Sequence, residues 1–300
     1  MKTGKERFLK YFLIMVASIA LIGCGGQSGE DEGIDELVIA LKPDKNPDAM
    51  MDDKSILEAY MEERLGISVE VRIPSSGAVI EQGLANGTID LAFLSSTSTA
   101  RHSQSGLAEV LLAGSIEGNP FYYSYWVTLV DNEYGSIADL KGKPICFASP
   151  TSTSGYIIPL WDLAQKGLIT TENGPQTFFG ENNVYFGTGY VSAIQQVFDG
   201  RAEAAAVSDY VIEKDKHLKP EEKEKLRIVQ RQGPVPSHVL AVRTALPEET
   251  KASLKKALLE LNESNSYLRD RIFSSKLIEV DSETHLKPIK EALDFATAIQ

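Results

Sequence analysis

The sequence is poor in the residues that metal binding and covalent catalysis need. Two cysteines, Cys24 and Cys146, and four histidines occur in 300 residues, and the histidines have neither paired spacing nor a cysteine partner. No Gly-x-Ser-x-Gly elbow and no Gly-Lys-Ser/Thr phosphate loop is present, and Gly187-x-Gly189 is too short to indicate a dinucleotide site. We therefore expect a protein that is not an enzyme and that uses no metal and no cofactor.

Positive charge is scarce as well. The formal net charge is −12, and because residues 2–10 contribute +3, the rest of the chain carries −15. So acidic a chain argues against binding to nucleic acid, or to a membrane through a basic patch. It leaves room for an anionic ligand, since local dipoles in a cleft can outweigh distant, screened charges.

A leader precedes the part of the chain that we expect to fold. Basic residues are followed by the apolar run Tyr11–Ile22, which is short for a membrane span, and then by Gly23 and Cys24. This arrangement resembles a bacterial lipoprotein signal, which implies a signal peptide at 1–23, an acylated Cys24 and a flexible tether at 24–35. The alternative is a plain secretory signal with an incidental cysteine. In either case the mature protein works outside the cytoplasm.

Strand-like and helix-like segments alternate along the remaining chain, a rhythm typical of a mostly parallel sheet covered by helices. The segment Ala78–Ala92 is loosely repeated by Ser192–Ala205, since each has a helix, an Asn-Gly or Asp-Gly turn and a strand of small residues. Such turns also recur by chance. We infer two α/β lobes of one kind. The segments of the first half are Leu37–Leu41, Asp48–Leu65, Val69–Ile73, Ala78–Ala85 and Ile89–Leu94.

Two extended apolar segments, Tyr122–Val130 and Val235–Arg243, are suited to cross between the lobes. The helical tail Pro247–Gln300 is expected to return to the first lobe. Two crossings make a hinge, and the cleft between the lobes is the expected place for a small ligand. The expected boundaries are 36–124 plus 240–300 for the first lobe and 125–239 for the second.

A run of hydroxyl residues, Pro150–Gly155, joins the apolar strand Pro144–Ala148 to a predicted helix. The first turn of a helix has free backbone N–H groups and the positive end of the helix dipole, so hydroxyls there can hold an oxyanion without a basic side chain. An ordinary N-cap is the alternative. Pro159 lies inside this helix, where it leaves the carbonyl of Gly155 unpaired, so we expect an open first turn or a simple kink.

Three stretches resemble one known family. Ser149–Pro159, Gly187–Tyr210 and Val235–Arg243 are similar in order and spacing to the phosphate/phosphite/phosphonate-binding proteins of ABC importers, and Ser-Thr-Ser-Gly before Tyr-x-x-Pro is the most specific part. The resemblance implies the two-lobed, type II periplasmic-binding-protein fold, with a mostly parallel sheet flanked by helices in each lobe and two crossing strands. The residues implied to hold the phosphorus oxyanion are Ser152, Thr153 and Ser154.

The chain departs from the family at positions that bear on the ligand. Tyr190 stands where the family usually has a histidine, and it can donate a hydrogen bond but carries no positive charge. Asp209 keeps the family's acid, which would accept from a protonated oxygen or an amine, unless it only caps the helix at Tyr210. His238 replaces an acid or a small polar residue, which favours a bare oxyanion over an amine-bearing phosphonate, unless it is a structural hinge residue.

The first-lobe side of the predicted site is less complete. An aromatic residue of the family is missing, because Ser75-Ser76-Gly77 occupies its place, so Tyr123 or Tyr125 would supply a ring from the crossing strand. The hydroxyl loop Ser95-Ser96-Thr97 would add donors from the first lobe or form a plain helix cap. Taken together, the sequence predicts a monomeric, membrane-tethered binding lipoprotein that captures phosphate, phosphite or a phosphonate for an ABC permease and its ATPase. The alternatives are another oxyanion, such as a sulfonate, or a small organic solute on the same fold, and a ligand sensor for a membrane kinase.

Overall fold

The computed structural model describes residues 34–42, 47–214 and 217–299, so the predicted signal peptide, Cys24 and most of the tether lie outside the described residues. The segment Ile34–Gln300 forms one compact unit. It contains a six-stranded and a five-stranded β-sheet, each flanked by helices. The strands are β1 (Glu36–Ala40), β2 (Ser68–Arg72), β3 (Leu91–Leu94), β4 (Ala108–Ser115), β5 (Phe121–Leu129), β6 (Ile145–Phe147), β7 (Val184–Phe186), β8 (Ala204–Ser208), β9 (Leu226–Pro236), β10 (Val239–Arg243) and β11 (Lys276–Ile278).

Helices follow most of the strands, as the alternating sequence pattern predicts. A 3₁₀ turn at Ile137–Leu140 precedes β6, and a π-helical turn at Thr153–Ile157 follows it. The α-helices are α1 (Pro47–Leu65), α2 (Gly77–Asn86), α3 (Ser96–Gln104), α4 (Ile158–Gln165), α5 (Pro175–Phe179), α6 (Tyr190–Phe198), α7 (Asp209–Glu213), α8 (Pro220–Lys223), α9 (Glu248–Ser264), α10 (Ser266–Phe273) and α11 (Ser282–Ala298).

The two sheets share one strand order. The larger sheet has the order β2-β1-β3-β10-β4-β11 and the smaller one β7-β6-β8-β5-β9. In each, three parallel strands are followed by one antiparallel strand, β10 beside β3 or β5 beside β8. The repeated sequence segments take equivalent places, α2–β3 in one sheet and α6–β8 in the other. The predicted α/β fold with two similar sheets is confirmed, and we call the parts built on the larger and the smaller sheet the first and the second lobe.

The chain changes sheets at two short connections. It leaves the first sheet after β4, enters the second at β5, and returns between β9 and β10. The segment Tyr122–Val130 was expected to cross, but β5 (Phe121–Leu129) pairs along its length with β9, from Phe121 opposite Pro236 to Leu129 opposite Leu226. The crossings themselves are residues 116–120 and 237–238, which brings the beginning of β5 and the end of β9 close to the first lobe.

The helical tail divides between the two lobes. Helices α9 and α10 lie on the first sheet, where Leu254 and Phe273 share a core with Leu37. Helix α11 lies against both lobes, whereas the sequence predicted that the whole tail returns to the first lobe. Its buried side chains recur at helical spacing on one face, and they share a core with Ala100 of α3 in the first lobe and with Trp126 and Phe147 of the second. These α11 residues are Leu286, Ile289, Ala292, Leu293 and Ala296.

Candidate functional site

Polar residues gather where the parallel strands of both sheets end. In the second lobe, Pro150–Gly155 follows β6, Gly187–Tyr190 follows β7, and Asp209 follows β8. In the first lobe, Ser95 follows β3, and His238 lies beside that end of β3 because Val239 pairs with Leu94. Ligands of open α/β sheets bind outside the carboxyl ends of the strands. These segments therefore define the candidate binding site.

The two strand-end edges touch each other. The hydroxyl oxygens of Thr97 in α3 and Thr153 in the π-helical turn are 2.7 Å apart. Ser96 Oγ donates to the carbonyl of Pro236 at 2.9 Å, at the point where the chain leaves β9. All three hydroxyl side chains are buried. The described arrangement is therefore one in which the lobes are in contact around the candidate site.

The hydroxyl segment forms a π-helical turn. Ile157 N–H donates to Ser152 O at 3.0 Å and Ile158 N–H donates to Thr153 O, both from residue i to residue i−5. Pro159 has no N–H, so the preceding carbonyls need other donors. Ala148 N–H donates to Gly155 O at 3.0 Å, and Ser124 Oγ donates to Ser154 O at 2.5 Å. The widened turn thus keeps every affected carbonyl paired.

Glycine at position 155 is a steric requirement of this turn. A Cβ there would lie 2.8 Å from Ser152 Oγ and 3.1 Å from Tyr190 Cε1, and closer still to Ala148 Cβ. Ser152 is the N-cap, since its Oγ accepts from Gly155 N–H at 3.0 Å. The backbone N–H groups of Thr153 and Ser154 precede the first backbone hydrogen bond of the turn and have no acceptor within it. They remain available to an anion.

Four hydroxyl side chains converge beside these N–H groups, and we call them the hydroxyl cluster: Tyr122, Ser152, Ser154 and Tyr190. Ser154 Oγ lies 2.7 Å from Tyr190 OH, and Tyr122 OH donates to Ser154 Oγ at 3.3 Å. Ser152 Oγ donates to Tyr190 OH at 3.4 Å. A hydroxyl hydrogen rotates about its C–O bond, so these groups can turn from one another towards an oxyanion.

Sequence reasoning missed Tyr122 and the residues that support the cluster from behind. Ser124 Oγ receives a hydrogen bond from Gln232 Nε2 at 2.9 Å, and both side chains are buried. Side chains alternate along a strand, so Tyr122 and Ser124 point to the face opposite Tyr125. That alternation was the available signal. Tyr125 packs in the core on the opposite face, and its hydroxyl donates to Glu213, so the structure does not bring it to the cluster.

The two tyrosines of the cluster are neutral donors. Burial raises the pKa of Tyr190, and it raises the pKa of Tyr122 well above the ordinary value. The charge of Asp209 raises the pKa of both further, which places this carboxylate near the cluster. Both phenols therefore keep their protons at neutral pH and can donate to an anion.

Asp209 is held by three donors. Its Oδ2 accepts from Tyr123 N–H at 2.8 Å, and its Oδ1 accepts from Tyr210 N–H at 2.7 Å and from Ser208 Oγ at 3.1 Å. Burial raises the pKa of Asp209, and these hydrogen bonds oppose the rise. Each carboxylate oxygen has two lone pairs, so Asp209 can still accept a proton-bearing group of a ligand.

The predicted first-lobe residues have mixed placements. Ser95 caps α3, because its Oγ accepts from Ser98 N–H at 3.2 Å. Ser96 is engaged with the backbone of Pro236, as described above. His238 is half-buried, with its ring 5.5 Å from that of Phe93. Burial, together with the charge of Lys42, lowers the pKa of His238 to about 4. His238 is therefore neutral at pH 7.

Other features of the described residues lie apart from the cluster. Within residues 34–42, 47–214 and 217–299, no three His, Cys, Asp or Glu side chains are grouped as a metal ion would require. No helix in that part of the chain is both long enough and apolar enough to cross a membrane. A cavity of ≈ 420 Å³ lies between α4 and α11, lined by Trp161 and Lys287 among others. None of its lining residues belongs to the hydroxyl cluster.

Comparisons with known proteins find relatives in sequence and solved structures with the same fold. The phosphate-import protein PhnD of Mycolicibacterium smegmatis is 27% identical over 254 residues, which cover 80% of this chain and 78% of that protein. XAC2383 of Xanthomonas citri bound to ATP has the same fold, with a TM-score of 0.76 at 20% identity over 89% of this chain and 100% of that one. PhnD1 of Prochlorococcus marinus in complex with methylphosphonate has a TM-score of 0.70 at 19% identity over 88% of this chain and 99% of that one.

The match to a protein family covers most of the described residues. Residues 39–284 match the family described as "ABC transporter, phosphonate, periplasmic substrate-binding protein". This range includes both sheets except for residues 36–38 of β1, and it includes the π-helical turn and the whole hydroxyl cluster. The chain belongs to this family of periplasmic substrate-binding proteins of ABC transporters.

Proposed function

We propose that this protein captures a small phosphorus oxyanion, namely phosphate, phosphite or a phosphonate, between its two lobes and delivers it to an ABC permease. The observation that carries the proposal is the hydroxyl cluster beside the free N–H groups of Thr153 and Ser154. Two backbone N–H groups and four hydroxyl side chains lie together at the beginning of a helix, where the helix dipole also favours negative charge. A phosphoryl or phosphonyl group has three oxygens to accept from them.

The hydroxyl of Thr153 has a different role in this proposal. It pairs with Thr97 of the other lobe at 2.7 Å, so it contributes to closure while its backbone N–H contributes to the ligand. A ligand that contacts both lobes binds the closed state more tightly than the open one and shifts the population towards closure. We propose that the lobes move as units about the two crossings at 116–120 and 237–238, close to the boundaries of 36–124 plus 240–300 and 125–239 that the sequence suggests.

The cellular setting is also part of the proposal. The lipoprotein-like leader supports cleavage before Cys24 and anchoring of the acylated, monomeric protein at the outer face of the cell membrane. The partners are then the permease, which recognises the closed form, and its ATPase. The relatives are transport proteins, which supports a binding protein that catalyses no reaction. Asp209 would discriminate against sulfate and sulfonates, because these ligands carry no proton at neutral pH to donate to a carboxylate.

Titration calorimetry on the chain without residues 1–23 tests the ligand class. Phosphate, phosphite, methylphosphonate and 2-aminoethylphosphonate are compared with sulfate, and we expect saturable 1:1 binding of at least one phosphorus compound and none of sulfate. Ser152→Ala combined with Ser154→Ala should weaken that binding by at least about a hundredfold, since each lost hydrogen bond to a charged group contributes roughly 1.5–3 kcal/mol. Ser264→Ala, an exposed control in α9, should change nothing. Absence of binding by all four compounds would reject the proposal.

A further inference from the structure

Among the described residues, the second-lobe strand-end segments that form the site carry no lysine or arginine side chain, and Arg231 of β9 is engaged over the ring of Tyr123. The hydroxyl cluster is neutral, and the nearby ionisable side chain, Asp209, is an acid. An oxyanion that leaves water for such a site loses hydration that neutral donors only partly replace. A cation elsewhere in the cleft would compensate for the lost hydration of the oxyanion, because attraction between opposite charges is stronger where water is excluded.

Lys42 is placed to supply that cation. It follows β1, and the backbone just before it is fixed by Leu41 N–H, which donates to Arg72 O at 2.9 Å. The side chain of Lys42 is exposed. Among the described strand-end segments that face the cleft, Lys42 is the one residue with a lysine or arginine side chain. These segments are residue 42 and residues 73–76, 95–97, 121–123, 149–154, 187–190, 208–210 and 236–238.

The strand order places Lys42 at the same edge of the first sheet as His238, because β1 pairs with β3 and the end of β3 pairs with the beginning of β10. His238 lies at the beginning of β10, with its ring tilted against that of Phe93. It is at the edge of the first lobe where Thr97 contacts Thr153 of the second. The ammonium group of Lys42 is near enough to act on this ring, since its charge contributes to the low pKa of His238. A neutral imidazole offers one donor and one acceptor but no charge. Lys42 would therefore supply the positive charge and His238 the hydrogen bond, which a single imidazolium could supply together.

We propose that Lys42 binds the oxyanion from the first lobe and provides the positive charge of the closed site, while His238 adds a neutral hydrogen bond. This inference rests on the proposed function, because it concerns the same ligand. It also narrows the ligand class. An amine-bearing phosphonate would place its ammonium group in the same small cleft as Lys42, so the site favours phosphate, phosphite and simple alkylphosphonates.

Three lysine variants test this role by calorimetry with methylphosphonate and phosphate. Lys42→Gln keeps the length of the side chain but removes its charge, and we expect binding to weaken at least about tenfold. Lys42→Arg should stay within about threefold of the wild type, because it keeps the charge. Lys256→Gln, an exposed first-lobe control in α9, should bind as the wild type does. Raising the salt concentration should weaken the wild type more than Lys42→Gln.

If Lys42→Gln bound the phosphorus ligand with the same affinity as the wild type, the inference would be overturned and the proposed function would remain intact. A second readout needs no ligand. In Lys42→Gln, the pKa of His238, followed by NMR, should rise above the wild-type value of about 4 because a nearby positive charge has been removed. An unchanged pKa of His238 would show that Lys42 does not reach this side of the cleft and would overturn the inference even if no phosphorus compound bound.

Discussion

Substitution of Gly155 by alanine tests whether the π-helical turn shapes both the fold and the site. The new Cβ would lie 2.8 Å from Ser152 Oγ and 3.1 Å from Tyr190 Cε1, and it would overlap Ala148 Cβ, which belongs to the strand end behind the turn. Ala148 cannot move freely, since its N–H donates to Gly155 O at 3.0 Å. The turn must therefore shift as a whole.

Overpacking of this kind costs about 1–3 kcal/mol of unfolding free energy. For a chain of this size, each kcal/mol lowers Tm by about 2–4 °C, so differential scanning calorimetry resolves the effect. The shift displaces Ser152 and Tyr190, so we also expect calorimetric binding of the phosphorus ligand to weaken by about tenfold or more. The loss of affinity should exceed that of any variant which lowers stability equally from outside the site.

Gly135→Ala is the matched control in the same lobe. Its Cβ would meet only Asp139 Oδ2, at an ordinary distance of 3.6 Å, so stability should be unchanged or raised by up to about 1 kcal/mol through a less flexible unfolded chain. If Gly155→Ala matched this control in both Tm and ligand affinity, the close approach of strand, cap and tyrosine would not constrain the turn, and the reasoning would be refuted.

Three further predictions concern single contacts. Tyr190→Phe removes the partner of Ser154 Oγ and one donor to the oxyanion, and it should lower ligand affinity by about tenfold to a hundredfold with a loss of stability near 1 kcal/mol, measured by calorimetry and urea unfolding. Thr97→Val and Thr153→Val should show a coupling of about 0.5–1.5 kcal/mol in a double-mutant cycle of ligand affinity, whereas additive effects would mean that this contact does not aid closure. Because the pKa of His238 is lowered from 6.5 to about 4, the unfolded chain takes up this proton first, so stability should fall as the pH drops from 6.5 to 4. His238→Gln should reduce that fall in urea unfolding, and an unchanged pH profile would argue against the buried, neutral state.

The strand and helix order was predictable because burial leaves a clear period in the sequence. Val69–Ile73 alternates as a half-buried strand does, and the observed β2 is Ser68–Arg72. The chain's division between the sheets was harder to predict. Phe121–Leu129 looks like a connecting segment because it is long and apolar, yet those side chains are apolar because the strand is covered on both faces by the second lobe. The docking of α11 depends on which core its apolar face fits, and periodicity does not contain that information.

The grouping of residues in the candidate site was predictable where it depends on residues that are close together in the sequence. The hydroxyl run before a helix with Pro159 pointed to an unusual first turn, and Ser152, Ser154 and Tyr190 do come together. The residues that support the turn come from β5 and β9, and Ser124 is 30 residues from Ser154 in sequence. No local pattern therefore links Ser124 or Gln232 to the turn. Lys42 illustrates the same limit, because only the sheet order places the end of β1 at the same edge as His238, with the end of β3 between them.

A structure of the protein with methylphosphonate bound tests the central claim most directly. The account predicts phosphonyl oxygens within hydrogen-bond distance of the N–H groups of Thr153 and Ser154, of both serine hydroxyls and of Tyr190 OH, with Ser154 Oγ turned away from the tyrosine. A ligand bound elsewhere, for example in the cavity beside Trp161, or one that leaves these hydroxyls bonded to one another, would contradict it.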